Sequence, residues 1–306
     1  MDHKLYLKDP GIHKKGNNWY FNKTGLQVSD SKCIHRLQSF RVPPAWKNVW
    51  YSSTPKCHIQ VYGTDQSGKK QYIQSEKWIN NAKYTKYLRM KQFIKDLTHF
   101  KKKISLNGFS LNYRGIICLL FNLLIDTHLR VGNEKYAESN KTYGLTTLRQ
   151  KHFVNNKFVF TGKSSIKHSI DIPSEYLPYL KQLVLSDRNK PLFWYRVGGT
   201  IKEISSEELN NFLKEQMGND YTCKDFRTYS ANILFIKAFL KNYKKINKNK
   251  KCVLTSIDEA ASDLGHTRSV SRKSYISDTL INYCLESFDT AGKMSVSELL
   301  GKVWST

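Results

Sequence analysis

Acidic residues are scarce in this chain. Its 306 residues include 25 Asp and Glu against 50 Lys and Arg, a formal net charge of +25. The imbalance is not a detachable tail: residues 1–82 carry 13 basic and 5 acidic side chains, and the excess continues through the remainder. Such a balance implies a polyanionic partner, most simply nucleic acid, bound with salt-sensitive affinity. Charge alone does not separate an enzyme from a ribosomal or chromatin-packing protein.

Long apolar runs are missing too. The most apolar stretch, residues 116–125, is interrupted by Asn122 and is too short to span a bilayer, and the N-terminus has no apolar signal region. The six cysteines, at positions 33, 57, 118, 223, 252 and 284, form no C-x-x-C pair. That argues against a zinc site or a disulfide framework and for a reducing compartment. No Asp/Glu cluster marks a metal site, so neither metal nor cofactor is expected, and no internal repeat is present. With 40% hydrophobic and 13% aromatic residues, the chain reads as a globular intracellular protein of about two domains, without a membrane partner.

The expected fold class is α+β, with a β-rich region over 1–82 and a mainly helical one with a small sheet over 83–306. Residues 17–21, 49–53, 58–63 and 71–74 are rich in β-branched and aromatic side chains, and the polar turn 64–70 joins the last two as a hairpin. From Lys83 the period becomes helical, with Tyr87, Met90, Ile94, Leu97 and Phe100 on one face. Residues 112–128 are apolar nearly all round and predict a core helix. The stretch 148–172 predicts three strands with Lys163 at the second turn. Ser205 with Glu208, and Ser256 with Glu259, have capping-box spacing before helices at 205–218 and 256–265. Residues 244–251 read as a basic loop, and 271–286 and 295–303 as the last two helices.

One motif misleads. Gly63-x4-Gly68-Lys69 copies most of a phosphate-binding Walker A loop, yet position 70 is Lys instead of Ser or Thr, and strands flank the loop. A basic hairpin touching DNA is the better reading, with Lys69 and Lys70 on phosphates and Gln71 and Tyr72 near base edges.

The chemistry concentrates in 264–276, where a Gly265-His266 pair precedes Tyr275, with Arg268, Arg272 and Lys273 between. A tyrosine hydroxyl, with an ordinary pKa of about 10, needs nearby cations and an electrophile surrounded by positive charge to act as a nucleophile near neutrality. A phosphodiester in a basic pocket meets that need. Arg130, Lys163, and Lys224-Asp225-Phe226-Arg227 precede the pair in sequence.

In this order the stretches resemble the type IB DNA topoisomerases, in particular the compact viral and bacterial forms, and residues 41–52 and 58–72 resemble that family's N-terminal β-domain. The resemblance implies a monomeric enzyme clamped on double-stranded DNA, with Tyr275 as nucleophile and Arg130, Arg227 and His266 around the phosphate. Lys163 becomes the acid for the leaving 5′ oxygen, with Lys224, Lys135, Tyr136 and Asn232 in supporting or phosphate-contacting positions. It also implies a location with DNA, in the bacterial cytoplasm, or in the virion and infected-cell cytoplasm. Tyrosine recombinases use a similar pocket, but they usually carry His-x-x-Arg where this chain has Lys224 and Arg227, and a helical arm in place of a β-domain. A non-catalytic DNA binder fits the charge but leaves the full residue set without a purpose.

Overall fold

A five-stranded antiparallel sheet organises the first of the two units into which the chain divides, Met1–Lys86 and Tyr87–Thr306. The computed structural model describes residues 5–218 and 221–304. A short helix, α1 (Leu5–Lys8), leads into β1 (Ile12–Lys15) and β2 (Asn18–Phe21); after α2 (Ser31–Ser39) come β3 (Lys47–Tyr51), β4 (Ile59–Thr64) and β5 (Lys70–Gln74). The sheet order is β2-β1-β3-β4-β5. Strand alternation decides which side chains are buried. Ile12, Trp19, Tyr51 and Val61 meet Val28 and Leu37 in a small core. On the other face, Trp50, Tyr62 and Tyr72 stand in register across three strands.

Helix α2 was not anticipated within a region read as strands and turns. Asp30 caps it by accepting from the Lys32 and Cys33 N–H groups, and its amphipathic face buries Leu37. Nine residues give too short a period to separate from a turn by pattern alone.

The turn after β4 is built unlike a phosphate-binding loop. Asp65 accepts from the Ser67 and Lys69 N–H groups at 2.9 and 3.0 Å and from the Gln71 amide at 2.7 Å. The Ser67 hydroxyl, which also donates to it at 2.7 Å, and then these hydrogen bonds pull its pKa down to about 2. The N–H groups that a phosphate would need are taken by a carboxylate, and β5 follows where a helix would be required.

The second unit is mainly helical. α3 (Glu76–Lys103) begins seven residues before the expected start at Lys83, with the Ser75 hydroxyl accepting from the Trp78 N–H, and it runs through the division between the units. α4 (Tyr113–Thr127) is the core helix, capped by Asn112; α5 (Glu134–Ser139) is short and capped by Asn133. The sheet β6 (Phe153–Val154), β7 (Lys157–Thr161) and β8 (Lys167–Asp171) has the expected meander order. Beyond it lie α6 (Leu177–Gln182), the hairpin β9 (Trp194–Val197) and β10 (Thr200–Glu203), then α7 (Ser206–Met217) and α8 (Cys223–Tyr243). The Ser205–Glu208 box forms as expected, and Gly218 ends α7 in the left-handed conformation.

Two expectations fail beyond α8. α9 is Asn249–Asp263, so Ser256 caps nothing: it is fully buried mid-helix and bonds back to the Cys252 carbonyl. Cys252, Val253, Ile257 and Ala260 recur at helical spacing and are buried, which carries the helix into what read as a basic loop. The run 271–286 is not one helix either. It divides into α10 (Arg268–Ser274) and α11 (Asp278–Glu286), and Tyr275 lies at the break. α12 (Phe288–Gly292) and α13 (Val296–Trp304) close the chain. No helix among the described residues is long and apolar enough to cross a membrane.

Candidate active site

Four elements converge on one small cleft, and each arrives there for a local reason. α4 ends when His128 adopts a left-handed conformation (φ 56°), which turns the chain outward to Arg130. The Arg130 and Val131 carbonyls then accept from the Leu145 and Thr146 N–H groups at 2.8 and 2.7 Å. Gly132 (φ 122°) and Gly144 allow this approach: a Cβ on Gly144 would lie 2.6 Å from the Gly132 backbone. Lys163 sits at the tip of the β7–β8 hairpin, where Ser164 and Ser165 are both left-handed.

Arg227 lies in the second turn of α8. The start of that helix is fixed twice. Asp225 caps it through the Thr222 N–H and is paired with Arg89 at 2.6 Å. Phe226 packs edge-on against Phe93, centroids 5.0 Å apart. Burying Phe226 inward places Arg227 on the neighbouring helix face, where its guanidinium donates to the His128 and Leu264 carbonyls and to Nε2 of His266, the last at 2.9 Å.

α9 terminates with Gly265 left-handed (φ 59°) and the His266 N–H bonded back to the Ala261 carbonyl at 2.8 Å, a Schellman-type ending that sets the imidazole against the Arg227 guanidinium. Tyr275 follows at the end of α10. Asn232, fully buried on α8, holds this break from both sides. Its amide donates to the Tyr275 carbonyl at 3.0 Å, and its oxygen accepts from the Ser277 N–H at 2.9 Å. Ile276 is buried, and its carbonyl accepts from the Tyr87 hydroxyl at 2.8 Å. The Tyr275 ring stacks on His266, centroids 4.5 Å and planes 27° apart, and its hydroxyl lies beside the guanidinium groups of Arg130 and Arg227, where it favours their charged forms.

The electrostatics follow from crowding cations in a half-buried place. Burial and mutual repulsion lower the Arg227 pKa, while the tyrosine oxygen opposes that shift. Burial, then Arg227, Arg130 and Lys163, push the His266 pKa down to about 3. His266 is therefore neutral. Its Nε2 faces two Arg227 donors, so it accepts there, and the proton belongs on Nδ1, facing the Ser271 hydroxyl at 3.3 Å. A depressed histidine pKa means that the unfolded chain takes up a proton the folded one refuses. Its stabilising contribution is complete above about pH 6.5 and is lost as the pH falls from there towards 3. The urea midpoint is expected to drop across that window, and to drop less steeply in His266→Gln; parallel slopes would contradict this assignment.

The cleft lined by Arg130, Lys163, His168, Arg227 and Leu264 leaves only about 20 Å³ free. Larger grooves, of about 980 and 550 Å³, are lined by none of these residues. Among the described residues, no group of three or more His, Cys, Asp or Glu side chains is placed to hold a metal ion.

Other expected site residues lie apart from the cleft. Lys224 is exposed in the first turn of α8, and Lys135 and Tyr136 are exposed on α5. In the first unit, Lys70 lies over the Tyr62 ring at 4.4 Å and Tyr72 is exposed. Gln71 points to the opposite strand face and is held by Asp65, and Lys69 lies in the exposed turn. Gln71 and Tyr72 therefore do not share a surface. Arg268, between His266 and Tyr275 in sequence, is engaged by Asp258 in a two-pronged ion pair. His168 and Ser271, beside His266, carried no signal in the sequence.

A phenol oxygen under two guanidinium donors, beside a neutral histidine and a turn lysine, is an arrangement suited to phosphoryl transfer through tyrosine. The family model for the catalytic core of eukaryotic DNA topoisomerase I matches residues 71–291, and that for the N-terminal domain of bacterial DNA topoisomerase IB matches residues 18–65. A DNA topoisomerase 1B from Acanthamoeba polyphaga mimivirus is 36% identical over 304 residues, covering 93% of this chain and 89% of the relative. The DNA topoisomerase 1B of vaccinia virus (strain Copenhagen) is 26% identical over 312 residues, covering 95% and 96%. The DNA topoisomerase 1 of rabbit fibroma virus (strain Kasza) is 29% identical over 232 residues, covering 72% and 70%. The chain belongs to the type IB DNA topoisomerases, a family of enzymes.

Proposed function

We propose that this protein relaxes positive and negative supercoils in double-stranded DNA by transient cleavage of one strand. The Tyr275 oxygen attacks a backbone phosphorus and forms a 3′-phosphotyrosyl bond. The bond to the 5′ oxygen breaks, and Lys163 gives that oxygen a proton as the phenolic proton leaves to solvent. Arg130 and Arg227 neutralise the non-bridging oxygens, for which the guanidinium fork is suited. His266, neutral and in its Nε2–H form once a phosphate displaces the arginine contacts, donates to one of them. The energy of the broken bond is kept in the tyrosyl ester, so religation needs no ATP. Charge stabilisation comes from side chains, so no metal is required.

The observation that carries this reading is the placement of Arg130, Arg227 and His266 around one tyrosine side chain, with the ring stacked on His266 and the hydroxyl beside both guanidinium groups. Entry of a phosphate there places phosphorus next to the nucleophile with its neutralising donors already arranged. In support, Lys224, Lys135 and Tyr136 are exposed and free to reach flanking phosphates, and Lys69, Lys70 and Tyr72 offer a basic, aromatic strand surface to the duplex. Asn232 positions the tyrosine segment. The protein acts as a monomer, in the reducing compartment that holds its DNA.

The mechanism is tested by stopping a reaction with plasmid in detergent and digesting the product. Tyr275 is expected to carry a 3′-nucleotide, and the nicked strand a 5′-hydroxyl that a kinase can label directly. A link through another residue, or to a 5′ end, would refute the assignment. Duplex affinity is also expected to fall by about 10³–10⁵ between 50 and 200 mM salt if roughly 6–10 phosphates are neutralised. A flat response in a filter-binding titration would count against a clamp built on charge.

A further inference from the structure

We propose that His168 is a positioning residue, a wedge that sets Lys163 against the Gly265–His266 turn. The proposal rests on the cleavage reaction above and assigns a role that none of the five reacting side chains fills.

His168 lies on β8, paired in register with Phe160 on β7, and its imidazole stacks on the Phe160 ring at 5.0 Å and 19°. Two glycines border that imidazole. A Cβ on Gly162 would stand 2.7 Å from its Cδ2 and Nε2, and a Cβ on Gly265 would stand 2.5 Å from its Cε1. Neither separation is sterically possible, so the ring occupies the space that side chains at both positions would need. Gly265 has a second reason to be glycine, its φ of 59°. Gly162 has none: at φ −98° and ψ −167° its backbone suits any residue. The next nearest atom to a Cβ there, Phe160 Cε2 at 3.6 Å, is at ordinary contact distance. Gly162 immediately precedes Lys163, and Gly265 immediately precedes His266. One ring therefore packs against the backbone of both segments and lines the same cleft as Arg130, Lys163 and Arg227.

The ring is suited to a filler and not to a proton carrier. Burial, Arg130 and Arg227 hold its pKa below the ordinary value, so it adds no charge to a cleft already crowded with cations. Its consequence falls on Lys163, whose hairpin tip would otherwise be free to shift. A general acid displaced by about 1 Å can lose 10²-fold.

The test is single-turnover cleavage of two duplexes, one with the natural 5′ oxygen at the scissile bond and one with sulfur in that bridging position. A thiolate departs without a proton, so the sulfur substrate bypasses Lys163. His168→Ala is expected to lose up to about 100-fold on the oxygen substrate and to recover most of that on sulfur. Gly162→Ala, which forces the ring out of its slot, is expected to reproduce the pattern. His168→Phe, which restores a flat ring, recovers most of the loss. Equal losses on both substrates, or no loss, would overturn the proposal while leaving the cleavage mechanism intact. Failure of the wild type on both substrates would overturn the cleavage mechanism, and with it the proposal.

Discussion

Tyr275→Phe is expected to bind duplex DNA as the wild type does and to form no covalent adduct. Cleavage falls by at least about 10⁴-fold, the scale on which enzymes lose a nucleophile. The substitution is a clean one because the hydroxyl is not what holds the segment in place. The backbone at 275 is fixed by Asn232 and by the bond from its own N–H to the Ser271 carbonyl at 3.0 Å, and Ile276 anchors the next position in the core. The phenyl ring keeps its stack on His266. What disappears is the hydroxyl beside Arg130 and Arg227. Filter binding and a detergent-stopped gel, run on the same preparation, separate the two properties. An adduct formed by the phenylalanine variant would remove Tyr275 from the mechanism.

Arg227→Lys keeps the charge, yet it is expected to lose about 10²–10³ in the rate of cleavage, the cost of removing one fixed donor to a developing oxyanion. Arg227 serves two carbonyls and His266 from one planar group. A lysine has three hydrogens on one nitrogen and cannot span these positions. The Leu264 or His128 carbonyl is left short of a donor, so a stability loss of about 1–3 kcal/mol is expected alongside. Single-turnover rates at saturating protein, read beside urea midpoints, distinguish the two effects. A loss smaller than tenfold in rate would mean that charge alone suffices and that the fork geometry is incidental.

Much of this site was legible because its residues fall in a fixed order, and order survives when distances are unknown. Arg130 follows α4, Arg227 lies in α8, His266 follows α9 and Tyr275 follows α10, far apart in sequence, and no periodicity could have brought them together. Helices α4 and α7 were readable from apolar spacing and caps, since burial and capping act locally. The start of α9 was not, because its first turn is polar outside and the only apolar side chains it buries before Ile257 are Cys252 and Val253. The break at Tyr275 was hidden for a related reason. Residues 268–286 have a continuous helical composition, and the interruption is imposed by Asn232, a tertiary partner 43 residues away. The engagement of Arg268 by Asp258 and the slot filled by His168 are likewise facts of packing. The opposite orientation of Gln71 and Tyr72, by contrast, followed from strand alternation and was available from the start.

In the proposed reaction, side chains alone drive strand cleavage and rejoining, and Tyr275 carries the DNA between the two steps. The decisive experiment incubates purified protein with positively and with negatively supercoiled plasmid, in EDTA and without ATP. Both plasmids are expected to be relaxed. If neither is relaxed under conditions in which the protein binds them, the proposed reaction is refuted.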